Sequence, residues 1–112
     1  MNRPIKFRVW DFTIKRFDTE IYQAGEQFGH PSSCDWIALQ YTGCHDSSNN
    51  EIYEGDIVQY NNGDVIRIGY VGFMAGIFFL NYPDETDDEL GYLLVSNLKV
   101  IGNKFENPEL LK

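Results

Sequence analysis

The stretch that decides the fold is Glu51-Ile52-Tyr53-Glu54-Gly55-Asp56-Ile57-Val58. Ile52 and Tyr53 close one apolar run, and Ile57 and Val58 open the next. Between them, Glu54-Gly55-Asp56 is a turn signal: glycine reaches φ > 0 without a steric penalty, and an aspartate carboxylate accepts hydrogen bonds from backbone N–H groups nearby. A bend of this kind lets the chain enter a strand at a sharp angle, as the corners of small β-barrels require. Tyr53, Glu54, Gly55 and Asp56 are therefore predicted to form a structural motif.

Working outward, residues 57–60 read as a strand, and Asn62-Gly63 predicts a two-residue hairpin, since type I′ turns need φ > 0 at both central positions. The return strand covers 65–71, with Ile66, Ile68 and Tyr70 on one face and Arg67 and Gly69 on the other. Residues 72–76 are predicted as a turn. Residues 77–82 form a further strand, apolar enough to be covered on both faces, and Pro83 stops it. The acidic run 84–89 is predicted as a solvated loop, and 91–95 as either extended chain or one helical turn. A last strand covers 98–101. Asn107-Pro108 then places an N-cap residue before proline at the first helical position, which predicts a short C-terminal helical turn.

Upstream, Lys6-Phe7-Arg8-Val9-Trp10 alternates with period two, putting Phe7 and Val9 on one side and Lys6, Arg8 and Trp10 on the other. Asp11-Phe12-Thr13 is short enough for a hairpin turn, with a return strand at 14–17 and a further extended piece at 20–23. Residues 24–33 contain Gly25, Gly29 and Pro31 and read as a loop. Residues 36–41 form a compact apolar segment best read as a buried strand, and 43–50 form a second loop.

Short strands separated by glycine-rich turns, with almost no helix, predict an all-β fold: a small antiparallel SH3-like barrel (region 36–112) carrying an N-terminal β-hairpin (region 1–24) and the short C-terminal helical turn. The length of 112 residues suits one domain, 1–112. The 15% aromatic content favours strands over helices. No apolar run approaches the ~20 residues that span a bilayer, and the N-terminus lacks the pattern of a secretion signal, so a cytoplasmic protein without membrane association is expected. In that reducing compartment Cys34 and Cys44 are expected as free thiols rather than a disulfide.

The net charge of −8 is unevenly spread: residues 1–16 carry +4 and residues 17–112 carry −12. The total opposes general binding to a phosphate backbone. The basic N-terminus could form a local patch, but pairing of these bases with the acidic remainder of the molecule is the commoner arrangement.

Four blocks in order, Ile5-Lys6-Phe7-Arg8-Val9-Trp10-Asp11, Gln40-Tyr41-Thr42-Gly43, the central 51–58 stretch, and Val100-Ile101-Gly102-Asn103 with Glu106-Asn107-Pro108-Glu109-Leu110-Leu111, resemble those of the YopX family. The resemblance spans nearly the whole chain. Where relatives more often carry a short Lys-Asp-x-x-Gly connection after the second block, this chain has Cys44-His45-Asp46-Ser47-Ser48-Asn49-Asn50. The resemblance implies a β-rich protein encoded by a bacteriophage or prophage and acting in a bacterial cytoplasm. It implies no reaction.

Several constellations contain residue types that can carry chemistry. His30, Cys34, Cys44 and His45 are zinc-ligand types, but their spacing matches no finger or knuckle, and stray Cys and His in two loops is the simpler reading. The 84–89 run lacks the glycine and glutamate positions of an EF-hand loop. Glu51, Glu54 and Asp56 near Asp11 could form a carboxylate pair, yet an aspartate after glycine is usually a turn-stabilising side chain. Trp10, Phe12, Trp36, Tyr41, Tyr53, Tyr60 and Tyr70 could stack bases, but such platforms sit in a basic groove, and core packing is their commoner use. No cofactor or metal is expected. The reading is a non-enzymatic module that binds a host or phage protein through a barrel face or the N-terminal hairpin, with Lys6, Arg8 and Trp10 as the candidate partner surface. The alternative is a nucleic-acid-associated accessory protein using the basic N-terminal segment. Open strand edges make a homo-oligomer a further expectation.

Overall fold

The computed structural model describes residues 6–12, 15–23 and 36–112. Strands β1 (Lys6–Asp11), β2 (Arg16–Gln23), β3 (Trp36–His45) and β4 (Glu51–Tyr53) build an antiparallel sheet in the order β2-β1-β3-β4. Strands β5 (Asp56–Asn61), β6 (Ile66–Met74), β7 (Ile77–Asn81), β8 (Asp87–Glu89) and β9 (Leu98–Asn103) build a second in the order β8-β7-β6-β5-β9. Among the described residues, helix is confined to short 3₁₀ turns at Leu90–Tyr92, Val95–Asn97 and Pro108–Leu111. The all-β, antiparallel expectation holds.

The second sheet is a four-strand meander, β5 to β8, followed by a fifth strand, β9, that returns to pair with β5, the wrapping expected of an SH3-like barrel. Among the described residues no pairing joins β8 to β9, so it is a half-barrel. The outer edge of β9 is occupied instead: Val100 donates its N–H to the Asp46 carboxylate, and Ser47 donates to the Leu98 carbonyl. Strands β3 and β4, placed by the sequence in the barrel region, belong to the sheet of the N-terminal hairpin. The half-barrel proper starts at Asp56.

The core lies on the concave face of the half-barrel, where Val58, Val71, Leu80, Tyr82, Leu90 and Leu98 close over Ile52 from β4. Val71 sets the phase of β6. It puts Gly69 on the inner side with it, and the predicted Ile66–Ile68–Tyr70 face turns outward, leaving Ile66 exposed. Gly69 is required there because a Cβ would stand 2.4 Å from the Asn81 carbonyl oxygen.

Turn chemistry differs from the prediction at two hairpins. Asn62-Gly63 lies in a four-residue connection between Asn61 and Ile66, where the Asn62 side chain accepts from the N–H groups of Asp64 and Val65 and only Gly63 has positive φ. The tight two-residue turn is Ala75-Gly76, with φ of 54° and 80°, joining paired Met74 and Ile77. Strand β6 thus runs through Gly72 into the stretch predicted as turn. The strand β3 likewise runs through Gly43, at φ 85°, to His45 with a register shift, shortening the second loop to a turn around Asp46. The sequence pieces at 14–17 and 20–23 fall largely within one strand, β2. Half of the acidic run is strand β8, held by its pairing with β7. The predicted loop at 24–33 lies outside the described residues.

At the C-terminus the helical turn forms, but Asn107 does not cap it. Its side-chain oxygen accepts from the N–H of Asn103, returning the chain onto the end of β9.

Candidate functional site

The central motif folds as the corner between the two sheets. Gly55, at φ 85°, donates its N–H to the Val71 carbonyl and accepts from Lys104 through its own. Glu54 exchanges bonds with Gln40 of β3: its N–H donates to the Gln40 carbonyl, and its carboxylate accepts the Gln40 N–H. The Asp56 carboxylate accepts the Tyr53 N–H. One turn therefore ties β3, β6 and the segment after β9 together.

The N-terminal candidates converge on this corner. Lys6 pairs with Glu51 and lies 4.8 Å from the centroid of the Tyr41 ring. Arg8 pairs with Asp56, its guanidinium over the rings of Phe17 (4.0 Å) and Tyr53 (4.6 Å). Trp10 is not exposed with them. It is 4% accessible, stacked on Phe105 at 5.2 Å and edge-on to Phe17 at 4.9 Å. The period-two phase is right, but the face carrying Arg8 and Trp10 is covered by aromatic side chains instead of water.

Burial raises the pKa of Asp56 against the opposing pull of Arg8 and the Tyr53 N–H. Burial, then the neighbouring Glu51 carboxylate, pushes the Tyr53 phenol up to about 12. For Glu51, burial is outweighed by Lys6 and the Tyr53 hydroxyl, which hold it below its usual value. Glu51, Glu54 and Asp56 are each tied to a different donor, so they make no shared-proton pair.

Of the zinc candidates, His30 and Cys34 lie outside the described residues. Cys44 is a free, half-buried cysteine packed against the core, whereas His45 reaches the Tyr41 hydroxyl at 3.4 Å. Among the described residues no group of three or more His, Cys, Asp or Glu side chains is placed to hold a metal.

A different feature opens at the far end of the half-barrel. Tyr60 and Arg67 are cross-strand partners on the concave face, in phase with Val58 and Val71, at the margin of the core, against which Tyr60 packs half-buried. The result is an open cleft of roughly 600 Å³ whose apolar lining comes from Tyr60, Val65 and Leu93 and whose polar lining includes Arg67, Asp84 and Asp88. Arg67 lies 3.6 Å from the Tyr82 ring centroid and donates to Asp84 at 2.9 Å and to the Thr86 hydroxyl at 2.6 Å. Tyr82 donates its hydroxyl to Asp88 at 2.7 Å. Burial, then that bond, drives the Tyr82 phenol far above its ordinary value. Sequence reading missed this cleft, because its residues come from strands β5, β6 and β8 and from three connections that only barrel wrapping brings together. The signal within reach was Arg67, a lone base in an apolar strand.

Fold and site together define an all-β protein of two antiparallel sheets, joined at a charged aromatic corner and open at one end of a half-barrel. The family model described as YopX protein matches residues 10–112, and the chain belongs to the YopX family. It is similar to a solved structure, the crystal structure of protein EF1440 from Enterococcus faecalis, with a TM-score of 0.68 and 25% identity over 99% of this chain and 100% of that one. No curated protein matches it.

Proposed function

We propose that this chain is a non-enzymatic, phage- or prophage-encoded module that acts in the bacterial cytoplasm by binding a host or phage protein. The observation that carries this reading is the apolar surface left at the open end of the half-barrel. Val65 is 50% exposed, and the connection between β8 and β9, which passes beside β5, exposes Tyr92 by 83% and Leu94 by 67%. Large apolar side chains left exposed, Val65 among them at the cleft, favour a protein partner. Internal pairing of Lys6 and Arg8 removes two of the five N-terminal bases from a phosphate-binding surface. The test is affinity purification from infected cells, followed by rebinding of each recovered protein in purified form. Rebinding supports the reading; no partner that rebinds sinks it.

One observation favours the alternative. Lys15 and Arg16 are exposed at the β1–β2 turn beside the half-exposed ring of Phe12, a basic tip with an aromatic side chain. Mobility shifts with single- and double-stranded DNA and RNA at about 50 and 200 mM salt decide it, since phosphate contacts weaken steeply with salt. A steeply salt-sensitive shift establishes nucleic-acid binding, and no shift at the lower salt removes it.

A further inference from the structure

We infer that the cleft at the open end of the half-barrel docks a short peptide segment of the partner, one carrying an apolar side chain flanked by lysine or arginine. This rests on the protein-binding reading above and adds the site and the chemistry of its occupant.

The apolar part of the lining is firm. Tyr60 and Leu93 are half-buried and packed against the core, and Val65 stands over them from the β5–β6 connection. Its size falls within the roughly 300–1,000 Å³ of pockets that enclose small organic groups, ample for one large side chain. The charge on the rim selects what flanks that side chain. Arg67 is the base in the lining, and Asp84, Thr86 and the Tyr82 ring already engage it. Asp88 also faces the cleft, with Glu85 and Asp87 beside it in the chain, so the rim carries excess negative charge. The edge strand β8, Asp87–Glu89, is wholly acidic, and Asp88 is its residue in the lining. An acidic or neutral segment would lose its hydration here without compensation, whereas a basic one is attracted to the rim and steered by the −8 of the whole chain.

The test uses the full chain and short labelled peptides: a tryptophan or leucine between pairs of lysine and arginine, the same peptide with glutamates replacing the bases, and one with serine replacing the central residue. The first is expected to bind, to weaken by about tenfold in Val65→Lys and in Asp88→Asn, and to weaken severalfold between about 0.05 and 0.3 M salt. Amide shifts in the titrated protein should centre on Tyr60, Arg67 and Leu93. Equal binding of the glutamate or serine peptide, or unchanged binding to both variants, overturns the assignment. A purified partner that binds Val65→Lys and Asp88→Asn as tightly as the parent chain also overturns the cleft, while leaving the protein-binding reading intact. Absence of any purified partner removes that reading instead.

Discussion

Arg8 of β1 donates to the buried carboxylate of Asp56 at the head of β5, so an ion pair joins the two sheets at the corner where Gly55 turns the chain. The guanidinium lies over the rings of Phe17 and Tyr53, and its Nε is buried without an acceptor among the described residues, which subtracts from the worth of the pair.

Breaking that pair leaves Asp56 uncompensated in the interior. Arg8→Ala is expected to destabilise the protein by about 3 kcal/mol, the lower end of the range for losing one partner of a buried pair, because Arg8 keeps some solvent contact. Arg8→Lys retains the charge but not the flat stacked geometry and should recover less than half of the loss. Urea unfolding of the two variants checks this. A loss under about 1 kcal/mol in Arg8→Ala would mean that the corner is held by its backbone bonds alone.

Asp46 gives the protein a pH-dependent edge. Although burial raises its pKa, hydrogen bonds from Val100, Asn50 and Ser48 outweigh that and hold it below 3.8. A folded pKa below the unfolded one contributes stability that is present above the unfolded value and lost as pH falls through the folded one. Asp46→Asn should therefore cost about 2 kcal/mol at neutral pH, the scale for hydrogen bonds to a charged group. The gap between variant and parent should close as the pH is lowered from 3.8 through the depressed folded value. Melting curves of both proteins across that range report it, and a pH-independent gap contradicts the assignment.

Two backbone positions respond in opposite directions. Ala75 holds φ 54° in the tight β6–β7 turn, a conformation that asparagine tolerates better than alanine, so Ala75→Asn should stabilise by about 0.5–1 kcal/mol. At Gly69 a methyl group would collide with the Asn81 carbonyl of the neighbouring strand, and Gly69→Ala should destabilise by about 2 kcal/mol or more. Thermal unfolding of both tests the strand assignment of this hairpin. If 72–76 were an open loop, Ala75→Asn would have no effect, and a harmless Gly69→Ala would mean that β6 and β7 do not approach at Asn81.

The stacking of Phe105 on Trp10 makes the tryptophan a reporter of C-terminal docking. Phe105→Ala removes the ring that covers Trp10 and touches Phe12, and should cost about 2–3 kcal/mol. Trp10 emission should shift to longer wavelength before global unfolding, measured in a Trp36→Phe background. Unshifted emission would place the cover of Trp10 elsewhere.

Much of the fold was legible because its signals are local. Period-two alternation marks β1, Gly55 followed by Asp56 marks the corner, and Pro83 marks the end of β7. Where reading failed, the competing principle was tertiary. Residues 66–70 put Ile66, Ile68 and Tyr70 on one face and Arg67 and Gly69 on the other, and only the packing of Val71 makes the less apolar face the inner one. Asn62-Gly63 is a better type I′ pair than Ala75-Gly76, yet the pairing of Asn61 with Ile66 and Met74 with Ile77 puts the tight turn at the weaker one. The candidate surface at Lys6, Arg8 and Trp10 failed as an exposed patch because its covering groups, Asp56 and Phe105, lie far along the chain.

The order of residues alone determined that this protein would be strands and corners, since strand alternation and turn preferences act between residues a few positions apart. Which strands meet, which face is dry and where the half-barrel stays open were decided by the folded whole. Burial is a property of the space between distant segments, and no short window of sequence contains it.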